Sequence, residues 1–392
     1  MGSLPNATNA ASSTKLFQPL RLGANTLSHR VVLAPLTRFR ATTMTHIPLP
    51  MVAEYYAQRA SSQPGGLLIT EATFISPRAS GYPNPPAIWN DEQITAWKRV
   101  TEAVHARGGI IFMQLWALGR VAVPEVLAQE GELVGQKLDL VSAGDLAAAE
   151  DKPKPRPLTE DEIWGYVGDF ATAAKNAVER AGFDGIEIHG ANGYLVDQFI
   201  QDVSNNRTDA WGGSIENRAR FPIEIAKAVA KEVGPERTAI RLSPYSEFQG
   251  MRMEDPVPQF SAVLEGLKPL GLAYVHMVEA RVSGNIDVDT DASLEWAIKV
   301  WDNASPMLLA GGYLPDGARE TVDEKYPNYD LAIVFGRYFI SNPDLPFRVK
   351  NGIPLAKYNR DTFYNAQGER GYIDEPFSKE FMESEWGKKV LA

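Results

Sequence analysis

Three side chains with complementary chemistry occur within the six positions from His189 to Tyr194. They directly follow a short apolar run, 185–188, that is typical of a buried strand. His189 and Asn192 provide nitrogen donors that can polarise a carbonyl oxygen. The phenol of Tyr194, with an ordinary pKa near ~10, can deliver a proton. This set, at the end of one strand, indicates the reduction of an activated double bond and requires a source of hydride.

The composition excludes several classes of protein. The chain of 392 residues has no cysteine, so disulfides, thiolate metal sites and cysteine nucleophiles are excluded. With only five histidines, no metal site is expected. The net charge of −10 argues against nucleic acid or an anionic membrane as a partner. The first residues lack the apolar core of a secretion signal, and no apolar run has membrane-spanning length, so we expect a cytoplasmic protein.

Short apolar, β-branched runs alternate with helical patterns along the chain. There are eight such runs, at 31–35, 67–71, 110–114, 185–189, 238–242, 274–278, 307–310 and 331–335. Their continuous apolarity is typical of parallel strands that are covered on both faces. The clearest helix is 160–180, which begins at a capping box formed by Thr159 and Glu162. Eight strand–helix repeats predict an α/β fold, a (β/α)8 or TIM barrel.

Three segments depart from the bare repeat. Residues 17–27, with a turn at 23–25, predict a hairpin that plugs the amino-terminal end of the barrel. The long loops 116–157 and 281–293 are predicted to serve the active site, the second as a mobile lid. We therefore predict a flexible segment over 1–14, a single barrel domain over 15–380 and a carboxy-terminal tail over 381–392.

The ends of the predicted strands indicate a flavin. In such barrels the active site forms at the carboxyl ends of the strands. The glycines that follow the last two strands allow a phosphate to approach the backbone closely, and Arg337 adds a charged group. Gln114 and Arg241 can hydrogen-bond a planar ring rich in heteroatoms. Flavin mononucleotide, FMN, has both the phosphate and the ring, and a cation beside its pyrimidine stabilises the reduced anion.

These motifs resemble the old yellow enzyme family of flavin-dependent ene-reductases, in the style of its filamentous-fungal members. The resemblance spans 16–376 in collinear order. The matching motifs are LAPLTR (33–38), TEA (70–72), QLW (114–116), HGANGY (189–194), WGGSIENR (211–218), RLSP (241–244), FGR (335–337) and TFY (362–364).

The resemblance implies a role for each matching position. The flavin ring would be held by Pro35, Leu36, Thr37, Ala72, Gln114, His189 and Arg241, and its phosphate by Gly311, Gly312, Gly336 and Arg337. His189 and Asn192 would bind the substrate carbonyl, and Tyr194 would protonate the α-carbon after hydride reaches the β-carbon. The pocket would be lined by Tyr82, Trp116, Phe248 and Tyr364. NADPH would reduce the flavin first.

The family pattern leaves alternatives open. Ala72 replaces a frequent glycine, and Gly311-Gly312 stands where many members have Gly-Asn. Relatives with Phe in place of Tyr194 lose the proton donor and can favour isomerisation. Because this chain retains Tyr194, we expect reduction of α,β-unsaturated aldehydes or ketones. The same scaffold could instead isomerise or desaturate a pathway intermediate, or bind phenols or quinones. We expect a monomer or a homodimer.

Overall fold

The computed structural model describes residues 14–283, 286–287, 290 and 292–391. The segment 1–14, predicted to be flexible, lies outside the described residues except for Thr14. The predicted lid 281–293 lies partly outside them. In the described part of this loop, two short strands, Val282–Ser283 and Ile286–Asp287, pair antiparallel.

Eight parallel strands close into a barrel. They are β1 (Val31–Leu33), β2 (Leu67–Ile69), β3 (Ile110–Trp116), β4 (Gly185–Gly190), β5 (Thr238–Leu242), β6 (Tyr274–Val278), β7 (Met307–Ala310) and β8 (Leu331–Phe335). Each strand pairs with the next in the chain, and β8 pairs with β1 to close the ring. The short strand Thr73–Phe74 also pairs with the end of β3. The predicted (β/α)8 barrel and all eight predicted strands are confirmed.

Helices cover the outside of the barrel and lie within its loops. They are α1 (Met51–Ala60), α2 (Asp91–His105), α3 (Pro124–Val134), α4 (Glu160–Lys175), α5 (Leu195–Ile200), α6 (Ile215–Val233), α7 (Val257–Leu267), α8 (Glu295–Trp301), α9 (Pro315–Glu320), α10 (Arg337–Ser341), α11 (Leu345–Asn351), α12 (Lys379–Glu383) and α13 (Glu385–Leu391). The predicted capping box begins α4, with Thr159 and Glu162 satisfying each other's backbone N–H groups. No helix in the described part of the chain is long and apolar enough to cross a membrane.

The predicted hairpin fills the amino-terminal end of the barrel. Its strands, Leu20–Leu22 and Asn25–Leu27, pair antiparallel. Leu20, Leu22 and Leu27 are buried in one cluster with inward residues of the barrel strands. At the turn, Gly23 has a φ of +54°, and the carbonyl of Glu236, just before β5, leaves no space for a Cβ there. The hairpin therefore seals the end at which the strands begin.

The carboxy-terminal segment, predicted as a tail, forms α12 and α13. Phe381 is fully buried and stacks on Phe377, with ring centroids 5.2 Å apart. The indole Nε1 of Trp386 donates to the carbonyl of Ser61 at 2.7 Å. The described part of this segment is thus attached to the barrel at the end of α1.

Candidate active site

A cavity of about 730 Å³ opens at the carboxyl ends of the barrel strands. Its size is within the range of small-molecule and cofactor sites. All but one of the predicted site residues line it: Pro35, Leu36, Thr37, Tyr82, Gln114, Trp116, His189, Asn192, Tyr194, Arg241, Phe248, Gly311, Gly312, Gly336, Arg337 and Tyr364. Ala72 does not line the cavity, because it is buried in a cluster with Phe74 and Trp116. Its backbone contact with a flavin stays a prediction.

His189, the last side chain before the glycine that ends β4, is held as a neutral imidazole. Burial lowers its pKa well below the ordinary value, and the positive charge of Arg241 lowers it further. Its Nδ1 accepts a hydrogen bond from the backbone N–H of Ala191 at 3.3 Å, so the ring proton is on Nε2. The imidazole therefore offers one N–H donor and carries no charge.

Asn192 and Tyr194 are positioned by an unusual turn after β4. Asn192 has a left-handed φ of +58°, and its backbone N–H donates to the hydroxyl of Ser243 at 2.8 Å. Asparagine tolerates this conformation better than most residues. Tyr194 then packs edge-on against His189 and Trp116, at centroid distances of 4.9 and 4.7 Å. The turn thus brings the two donors and the phenol to one wall of the cavity.

A buried polar network lies inside the barrel below this wall. Gln114 Nε2 donates to Glu187 Oε1 at 2.7 Å, while the hydroxyl of Tyr274 and Nδ1 of His276 approach Glu187 Oε2 at 3.1 and 2.9 Å. Burial lowers the pKa of His276, so this imidazole is neutral and donates from Nδ1. The network fixes the side chain of Gln114. Burial lowers the pKa of the neighbouring Arg241, and the charge of Glu187 raises it in part.

The opposite side of the cavity is suited to an anion. Gly311 and Gly312 have φ values of +124° and +66°, which few other residues adopt. A Cβ on Gly311 would lie only 2.8 Å from the Cβ of Glu279. The guanidinium of Arg337 lies over the ring of Tyr358 at 5.3 Å. Glycine backbone and a positive charge therefore occur together at this end.

The polar groups of the cavity fit FMN. Nε of Arg241 and Nε1 of Trp116 are buried and have no hydrogen-bond partner among the described residues. Gln114 and Arg241 are the residues that would hold the ring, and Gly311, Gly312, Gly336 and Arg337 those that would hold the phosphate. The donor set consists of amides, a neutral imidazole and guanidinium groups, which suits a flavin better than a metal. No group of three or more metal-binding side chains occurs among the described residues.

The rim of the cavity is apolar and aromatic. Phe248 and Tyr364 are 43% and 52% exposed, which is high for such side chains and leaves them available to a ligand. Sequence reasoning did not select several further lining residues, among them Phe39, Tyr313, Leu314, Tyr338 and Tyr358. Tyr313 and Leu314 directly follow the predicted glycine pair, so their positions were foreseeable. Tyr358 lies far from any strand end, and no pattern in the sequence marks it.

The chain is similar to a known protein family and to several known proteins. Residues 15–356 match the NADH:flavin oxidoreductase / NADH oxidase family. The chain is 54% identical to a chanoclavine-I aldehyde reductase of Penicillium roqueforti, over 95% of this chain and 98% of that protein. It is 49% identical to a probable inactive reductase of Epichloe festucae var. lolii, over 97% and 100%. The old yellow enzyme of Pichia sp. AKU4542 is 38% identical, with a TM-score of 0.84 and 94% of each chain covered.

Proposed function

The chain belongs to the NADH:flavin oxidoreductase / NADH oxidase family, and from that premise we propose that it is an FMN-dependent ene-reductase. Its substrates would be α,β-unsaturated aldehydes or ketones, and NADPH would be its reductant. The observation that carries the proposal is the common wall formed by His189, Asn192 and Tyr194 beside a cavity suited to FMN. The aldehyde reductase of Penicillium roqueforti supports the substrate class.

His189 and Asn192 would bind the carbonyl oxygen of the substrate. The Nε2–H of the neutral imidazole and the side-chain amide of Asn192 are both hydrogen-bond donors. Two donors on this oxygen stabilise the negative charge that develops there when the β-carbon accepts hydride. When bound, reduced FMN supplies that hydride.

Tyr194 would complete the reaction as a general acid. Burial and the neighbouring Tyr82 raise the pKa of Tyr194, so the phenol keeps its proton at neutral pH. In the proton transfer the phenolic O–H bond breaks and a C–H bond forms at the α-carbon. The resulting phenolate recovers its proton from water.

The test separates the two halves of the reaction. Anaerobic NADPH should bleach the yellow holoenzyme, and cyclohexenone should restore the colour with formation of cyclohexanone. A flavin that bleaches but is reoxidised by no enone or enal would overturn the proposal. The rate of bleaching by NADH, measured in the same way, would show which of the two nucleotides is the better reductant.

Substitution of the phenol tests its role. In Tyr194→Phe we expect unchanged bleaching by NADPH and reoxidation by cyclohexenone slowed by about 100-fold or more, the usual contribution of a general acid. Tyr329→Phe, which removes a partly buried hydroxyl outside the cavity lining, is the control. Equal reoxidation rates in the wild type and Tyr194→Phe would refute the proton-donor role of Tyr194.

A further inference from the structure

The loop after β5 packs directly on the turn that carries Tyr194. A Cβ on Gly193 would lie 2.8 Å from Cγ of Met251, 2.9 Å from Cβ of Gln249 and 3.1 Å from the carbonyl oxygen of Phe248. Gly193 has a φ of +78°, and no other residue type fits this approach. The position of Gln249 is therefore fixed relative to Tyr194.

Gln249 has an unfavourable backbone conformation and a buried side-chain oxygen without a partner among the described residues. Its φ of +64° is in the left-handed region, which glutamine rarely adopts. The side-chain oxygen is buried and has no hydrogen-bond partner among the described residues. A strained backbone and an unsatisfied polar atom together are typical of functional positions.

The side chain of Gln249 lies close enough to Tyr194 to influence the pKa of the phenol. Burial raises the pKa of Tyr194 most, and Tyr82 and Tyr364 raise it further. A hydrogen bond from the Gln249 side chain and the positive charge of Arg241 lower it. An amide N–H that faces a phenol oxygen has this effect because it stabilises the ionised form.

Arg120 clamps this loop from the opposite side. It is buried, and Nη2 donates to the carbonyls of Gln249 and Gly250 at 3.1 and 3.3 Å. Nη1 donates to the carbonyls of Leu146 and Ala147 at 3.2 and 3.3 Å. One side chain thus joins the loop after β3 to the loop after β5 and holds Gln249 in its left-handed conformation.

A chain of hydrogen bonds connects the loop after β5 to the turn after β4 that carries Tyr194. The backbone N–H of Arg252 donates to Gln201 Oε1 at 2.9 Å, and Gln201 Nε2 donates to Asp197 Oδ1 at 2.8 Å. The other carboxyl oxygen of Asp197 accepts from the backbone N–H of Gly193 at 2.8 Å. The 249–252 segment is therefore hydrogen-bonded to the turn that presents Tyr194 through Arg252, and it packs against Gly193 of the same turn through Gln249.

We propose that Gln249 is a positioning residue for Tyr194, which orients the phenol and donates to its oxygen as the proton leaves. This role rests on the proposed function. As the phenolic O–H bond breaks and the α-carbon gains the proton, negative charge collects on the phenol oxygen. The amide N–H of Gln249 stabilises that charge until water returns a proton.

The experiment compares Gln249→Leu with the wild-type holoenzyme in anaerobic stopped flow. Bleaching by NADPH should be unchanged, and reoxidation by cyclohexenone should slow about 10-fold or more, as expected for the loss of one hydrogen bond to a developing charge. The solvent isotope effect on reoxidation, measured in H₂O and D₂O, should rise because proton transfer becomes slower. Gln249→Glu, which is isosteric but removes the N–H donor, should show the same loss.

Coupling to Tyr194 is the decisive readout. In the Tyr194→Phe background, Gln249→Leu should have no further effect on reoxidation. Gln367→Leu is the matched control, because Gln367 also has a left-handed φ, +58°, but its side-chain amide donates to the carbonyl of Ala41. If Tyr194→Phe is slow and Gln249→Leu is fast, or if the two effects simply add, this inference is wrong and the proposed function stands. If Tyr194→Phe itself is fast, the proton-donor role of Tyr194 and this inference both fail, whereas the proposed function fails only if no enone or enal reoxidises the wild-type flavin.

Discussion

A neutral His189 determines how a ligand is bound at this site. Since burial and the positive charge of Arg241 lower its pKa, the imidazole acts through one N–H and not through charge. The nearby guanidinium of Arg241 keeps the positive charge of the site beside the region where a flavin would lie. Charge and hydrogen bonding are therefore divided between two residues that are paired across β4 and β5.

Glu187 should be essential for the stability of the site. Glu187→Leu leaves the donors of Gln114, Tyr274 and His276 without their acceptor inside the barrel. We expect a loss of roughly 3 kcal/mol or more in the free energy of unfolding, measured by urea denaturation. Glu132→Leu, at an exposed position on α3, is the control. A loss below ~1 kcal/mol would mean that water replaces the carboxyl group.

Asp197 should make stability depend on pH. Burial raises its pKa to about 7 from the ordinary 3.8. A carboxyl group whose pKa is raised by folding stabilises the fold while protonated. That contribution is complete below pH 3.8 and is lost as the pH rises through about 7. In this interval the group alone lowers the free energy of unfolding by about 1.4 kcal/mol per pH unit.

Asp197→Asn removes this titration. The free energy of unfolding of the wild type minus that of the variant should therefore fall as the pH rises from 5 to 8, in urea denaturation at each pH. Asp361→Asn, at an exposed position, should leave the difference constant. A constant difference for Asp197→Asn would show that the buried carboxyl group does not titrate in this range.

At the scale of elements, the conformations of the loops that follow the strands are held by a few backbone carbonyls and glycines. The segment 362–371 is one example. Arg38 and Arg40, just after β1, donate to the carbonyls of Thr362, Phe363, Gly368 and Gly371. These bonds bring Tyr364 to the rim of the cavity, with its ring 5.6 Å from that of Phe39. The loop after β7 is a second example, in which conformation and space both require glycine.

Gly311→Ala should weaken the binding of FMN. The added Cβ would meet Glu279 at 2.8 Å at a φ of +124°, so the loop must move. We expect an increase in the FMN dissociation constant of about 10-fold or more, from strain of about 1–3 kcal/mol, measured by quenching of flavin fluorescence. Gly317→Ala in α9, where a Cβ has open space, should leave the constant unchanged. Equal constants for both variants would mean that this loop does not contact the phosphate.

On the scale of the whole molecule, one end of the barrel contributes mainly to stability, and the opposite end carries the candidate active site. The hairpin seals the end where the strands begin, and the cavity opens where they finish. Leu22→Ala should lower the free energy of unfolding by about 2–5 kcal/mol, because it creates a cavity in a fully buried cluster. The kcat for cyclohexenone should not change at temperatures where the variant is folded.

Arg21→Ala, an exposed change on the same hairpin strand, is the matched control and should affect neither quantity. Thermal unfolding and steady-state turnover of the three proteins test both statements. A lower kcat in the Leu22→Ala variant at 25 °C would show that packing at the sealed end reaches the cavity.

The sequence by itself determined the barrel, its hairpin and the identity of most side chains around the cavity. Strand periodicity is local, and parallel strands in a closed barrel must end at one face, so residues that follow each strand are brought together. Sixteen of the seventeen predicted site residues accordingly line one cavity, and Ala72 is the exception. Ala72 could not be distinguished because its burial beside Phe74 and Trp116 depends on packing and not on its place after β2.

Only the tertiary structure decided the tautomer of His189, the partners of Glu187 and the clamp that holds Gln249. The partners of Glu187 and the clamp depend on contacts between residues that are distant in the chain, whereas the tautomer depends on the folded turn that brings the N–H of Ala191 to His189. Arg120 and Gln249, for example, are 129 positions apart. No local pattern encodes such a contact, because the hydrogen-bond partners of a buried polar group are set by which backbones the folded barrel brings within about 3 Å of it.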